Sequence, residues 1–115
     1  MRKRKTDYMK EYLDLMSEAR NLRYLELKAN EVSSRLKRYI FENTNINITD
    51  NPLEPDDFYY PLQVVYESYI KTKNSYHIKI VPMIDQIVET ATKAGLNITK
   101  DDHLIQELTE PVLWF

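Results

Sequence analysis

His77 and His103 are the side chains best suited to proton transfer or metal ligation near neutral pH, and they stand twenty-six positions apart. No HExxH or HxH spacing exists, so a zinc site would have to recruit carboxylates from elsewhere in the chain. Asp101, Asp102 and His103 are adjacent, but neighbours along a helix point in different directions. Paired Asp56 and Asp57 are explained by their place at the start of a helix. The single glycine, Gly95, leaves no material for an anion-holding loop. With no cysteine there is neither thiolate chemistry nor a disulfide framework. These residues predict no enzyme: no catalytic residue, metal ligand, cofactor or small-molecule substrate is assigned.

Two stretches point to binding. The first is the C-terminal run Val112, Leu113, Trp114 and Phe115, apolar to its last residue. Aromatic side chains dominate binding energetics, and four large apolar groups in water would be sticky, so something must cover them. Two readings are open, a groove of the chain's own fold or a pocket on a partner protein. The second stretch is Arg2, Lys3, Arg4 and Lys5, four consecutive cations able to neutralise nucleic-acid phosphates. Along the helix that follows, Asp7, Glu11, Asp14, Glu18, Glu26 and Glu31 interrupt the basic residues, so nucleic acid is the secondary expectation.

Ala91, Gly95, Leu96, Asn97 and Leu104 have the spacing of a helix-turn-helix, but Asp101, Asp102, Glu107 and Glu110 would be repelled by a phosphate backbone. The nine tyrosines, clustered at Tyr59-Tyr60 and Tyr66-Tyr69, suit the edge of a core better than a base-stacking platform.

The element that must position all of these is residues 6–43, free of Gly and Pro, which predicts one long helix. Tyr8, Tyr12, Leu15, Ala19, Leu22, Leu25, Ala29, Val32, Leu36 and Tyr39 form a heptad-like seam with a three-residue step at Leu22 to Leu25. At 1.5 Å per residue the helix would run roughly 54 Å, whereas a compact globule of this length is only about 35 Å across. A bend near Asn21 to Arg23, a projecting arm or a second chain on the seam would reconcile the two. Self-association through the ten seam residues is therefore expected.

Residues 44–60 read as loop and hinge, with Ile46 and Ile48 as the only strand-like residues. Residues 61–110 read as a helical body. A second helix opens around Pro55 to Pro61, buries Leu62, Val65, Tyr66, Tyr69 and Ile70, and stops near Asn74. Ser75 to Val81 is ambiguous: Tyr76, Ile78 and Ile80 alternate like a strand that could pair with residues 45–48, yet Tyr76, Ile80, Ile84, Ile87 and Ala91 share a helical face. A third helix runs from Pro82 to Ala94, with Gly95 at its left-handed end, and a fourth is capped by Thr99. Residues 111–115 are the apolar tail. The expected fold is all-α: a single domain, a three- or four-helix bundle on a long amphipathic helix, with a two-stranded ribbon as an option.

Charge is divided unevenly: residues 1–43 carry +4 and residues 44–115 carry −6, for a net −2. Opposite surfaces attracting within one fold or between subunits account for this. No apolar run follows the basic start and none approaches a membrane span, which predicts a cytoplasmic protein with no membrane contact. Asn47-Ile48-Thr49 and Asn97-Ile98-Thr99 match the glycosylation pattern, which has no bearing without secretion.

The run Lys79 to Ala91, with a helix before it and an apolar C-terminus after it, resembles part of the T4-type phage late-transcription coactivators. Those are small helical proteins that bridge RNA polymerase and a sliding clamp, and the likeness covers about a third of the chain. It implies a helical regulator of phage, virus or mobile-element origin, acting in the cytoplasm of a host cell. The vocabulary rich in Asn, Ile, Lys and Tyr, common in AT-rich viral genes, points the same way. The leading expectation is a small helical interaction protein that binds a partner or itself.

Overall fold

The computed structural model describes residues 3–111. Three helices follow in order, α1 (Lys5–Thr44), α2 (Tyr60–Lys93) and the single turn α3 (His103–Gln106), and the described residues contain no strand. The chain is all-α.

Local hydrogen bonds set both ends of α1. The Arg4 amide donates to Asp7 Oδ2 at 3.0 Å, and an acidic group in the first turn also suits the helix dipole. Asn45, at φ 60°, closes the other end by donating its main-chain N–H to the Phe41 carbonyl at 2.7 Å. Asparagine tolerates that left-handed conformation better than other residues with a Cβ.

The expected stop at Asn74, and a fresh start at Pro82, do not occur: both lie inside α2. Ser75 to Val81 is helical, and burial shows why. On a strand Ile78 and Ile80 would share a face, but Ile78 is 70% exposed while Ile80 is 0%. Ile80, Ile84, Ile87 and Ala91 instead keep the helical period, and all join one core. Pro82 is tolerated on an exposed position because the Ile78 carbonyl that it leaves without an amide partner belongs to an exposed residue. The ribbon option is not realised among the described residues.

α2 ends in a Schellman motif. The Leu96 amide donates to the Ala91 carbonyl at 2.9 Å and the Gly95 amide to the Thr92 carbonyl at 3.0 Å, with Gly95 at φ +84°. The fourth helix expected from Thr99 shrinks to α3. Its cap is Asp102, whose Oδ1 accepts from the Leu104 amide at 3.0 Å, while the Thr99 carbonyl closes the preceding turn.

The chain divides into two compact units. One comprises the residues up to Leu25 together with Tyr76–Pro111; the other contains Glu26–Ser75. In the first, Tyr12, Met16 and Ala19 of α1 and Ile80, Ile87 and Ala91 of α2 share a core with Ile105 and Leu108, and Leu15, Leu22, Met83, Leu96 and Ile98 pack around it. Each fully buried isoleucine there contributes about 1.5–3 kcal/mol.

In the second unit Ile40, Ile48 and Leu53 form a smaller core, flanked by Ile46, Tyr59, Tyr60, Leu62 and Tyr66. Lys73 meets Asn30 and Tyr59 meets Tyr39, so rising numbers on α1 face falling numbers on α2 and the two segments are antiparallel. Gln63, also buried, fastens the connecting loop: its Oε1 accepts from the Leu53 amide at 2.7 Å and its Nε2 donates to Glu67 Oε1 at 3.2 Å.

Candidate interaction surfaces

Ten positions were expected to form a self-association seam, and burial sorts them. Tyr12, Ala19 and Ala29 are buried within the chain, Leu15 and Leu22 pack on the first core, Tyr8, Leu25, Val32 and Leu36 are half-buried, and Tyr39 is exposed. Besides Ala29, the buried positions along α1 run Tyr12, Met16, Ala19, then Glu26, Asn30, Ser33 and Ile40. With half-buried Arg23 and Lys37 included, this is an unbroken heptad in steps of four and three. Past Leu22, the expected seam therefore lies on the flank of this row, with Ala29 its one buried member.

The observed seam is polar where it crosses the second unit. Asn30 is 5% exposed; its Oδ1 accepts from Lys73 Nζ at 3.1 Å, while its Nδ2 has no partner. Ser33 Oγ donates to the Asn30 carbonyl at 2.9 Å. Hydropathy reading passes over such positions, and only the unbroken spacing marks them.

Val32, Leu36 and Tyr39 each stand one residue before an α1 seam position, Ser33, Lys37 and Ile40. Val65 and Tyr69 stand one residue before Tyr66, which packs on the second core, and half-buried Ile70. One step back rotates a side chain by about 100°. Since the helices are antiparallel, that rotation brings both sets to the same side of the pair. Val65, Tyr69 and Tyr39 are exposed there, and Val32 and Leu36 belong to neither core cluster. The result is an apolar stripe without a charged residue among its five members.

On the other side of α1, Lys37, Arg38, Phe41 and Asn47 line an open groove of about 270 Å³ whose surface is mostly apolar. The loop before α2 presents Phe58, at 89% the most exposed of the large apolar side chains among the described residues. A tight turn holds it there: the Glu54 amide donates to Asp57 Oδ2 at 2.6 Å, and Phe58 lies edge-on to Tyr59, which is itself edge-on to Tyr39.

In the first unit, Lys3 Nζ meets Glu11 Oε2 at 3.0 Å, and both Lys3 and Lys93 place their ammonium groups 5.5 Å from the Tyr8 ring. The hydrogen bond that Lys3 donates to the Glu11 carboxylate raises the Lys3 pKa above its ordinary 10.5. Lys5 lies against Gly95, and Arg4 is exposed. Arg2 and the tail Val112 to Phe115 lie outside the described residues.

His103 Nε2 pairs with Glu107 Oε1 at 2.8 Å in the same helical region, and Lys100 pairs with Asp85. Among the described residues no three His, Asp or Glu side chains lie close enough to hold a metal ion, and no helix is long and apolar enough to cross a membrane. No family model, curated protein or solved structure matches the chain.

Proposed function

We propose that the protein is a non-catalytic helical interaction protein whose second unit docks a partner protein along the stripe of Val32, Leu36, Tyr39, Val65 and Tyr69. The observation that carries this reading is the stripe itself. Two antiparallel helices already have a seam between them, and the additional apolar row on one side lies outside both cores. A face with aromatic anchors and few charges suits the centre of a protein interface. A helix laid along the two would bury it. The apolar tail Val112 to Phe115 adds a second contact segment in this reading. Nucleic acid has less support, because the charge of Lys3 is tied to Glu11.

The reading is tested by placing a photoreactive residue at position 36 or 65 of the full chain in its native cell. A discrete protein adduct at both positions, absent when the probe sits at exposed Asp14, is expected. Adduct-free chains at 36 and 65 would refute it.

A further inference from the structure

Phe58 stands almost wholly in water, outside both cores, and what sets it apart is the chemistry of the turn that carries it. It stands on an acidic turn beside Glu54, Asp56 and Asp57. The groove of Lys37, Arg38, Phe41 and Asn47 has the opposite character: an apolar floor and two cations, neither of which makes an ion pair among the described residues. Its volume of about 270 Å³ lies just under the ~300–1,000 Å³ of small-molecule sites. One aromatic side chain preceded by carboxylates fits it by size, polarity and charge.

Among the described residues, the Phe58 turn is held away from the groove of its own chain. Tyr59 anchors the loop against Tyr39, and Phe41, two residues further on, points about 200° around the helix from Tyr39. The bond from the Glu54 amide to Asp57 keeps the turn closed on its own side.

We infer that two copies of this chain associate by reciprocal insertion, the Phe58 turn of each entering the Lys37, Arg38 and Phe41 groove of the other. Such a two-fold exchange places the same two patches in contact twice, so it closes as a dimer and does not extend into a fibre. The contact leaves four of the five stripe residues untouched and engages Tyr39 only as the support of Tyr59, so either reading can fail without the other.

The test uses the full chain and two charge-reversed variants, K37E/R38E and E54K/D56K. Asp57 is kept because its carboxylate caps the turn. Sedimentation or light scattering at tens of micromolar should give a dimer for the wild type and a monomer for each variant and for Phe58→Ala. Helical circular dichroism should be unchanged. An equimolar mixture of the two reversed variants should regain the dimer, since each groove then meets a loop of opposite sign. A monomeric wild type, dimeric variants, or a mixture that stays monomeric would each overturn the proposal.

Discussion

Lys73 Nζ donates to Asn30 Oδ1 at 3.1 Å in a seam where the amide nitrogen of the same asparagine has no acceptor. A half-satisfied buried pair is a poor source of stability, because the orphaned donor costs about 1–3 kcal/mol. The double replacement N30L/K73M should therefore leave the protein as stable as the wild type or more so. Asn30→Leu alone should cost about 1 kcal/mol by taking the acceptor from the Lys73 ammonium. Urea denaturation of the three chains checks this, and a double variant less stable than the single one would contradict it.

The helical reading of residues 75–81 has its own test. Ile80→Ala empties a fully buried site and should cost about 2–5 kcal/mol, whereas Ile78→Ala, two residues away and largely in water, should stay within about 0.5 kcal/mol. Thermal midpoints of the pair report the difference. Equal losses would place the two side chains on one face, as a strand requires.

Gly95 separates strain from space. A Cβ built there meets nothing nearer than the Lys5 side chain at 3.7 Å, an ordinary contact, yet its φ is +84°. Gly95→Ala should cost about 1–2 kcal/mol from backbone conformation alone. Gly95→Asn should recover part of the loss, since asparagine accepts the left-handed region more readily. An alanine variant of wild-type stability, measured by the same denaturation, would show that the motif is not held in that conformation.

How far the sequence exposes this fold depends on which physical signal each segment carries. The Gly- and Pro-free stretch from Thr6 reads directly as a helix and ends within a residue of Thr44. Gly95 announces its terminus because no other residue adopts positive φ so cheaply. The break expected near Asn74 rested on residues that favour helix ends, but α2 continues there because Ile80 and Ile87 have a core to enter. Tertiary packing outweighs weak local preference.

The register of α1 was harder to read. Following hydrophobic residues leads from Leu22 to Leu25 in a step of three, and from there onto the flank. The buried row keeps its four-and-three spacing through Arg23, Glu26, Asn30, Ser33 and Lys37, whose polarity disguises it. That step of three was the visible trace of the change. The Phe58 turn and its groove had no such trace, since exposure of a lone aromatic is a property of the folded chain.

The amide of Asn30 also fixes which alignment of the two helices is allowed. Greasy rods tolerate slippage by a whole heptad, because every repeat offers a similar surface. Here a shift of seven residues in either direction would carry the Lys73 ammonium from Asn30 to Arg23 or to Lys37, cation against cation. The chain thus rejects both neighbouring alignments by charge repulsion, and the one that survives is the one in which that ammonium finds an oxygen.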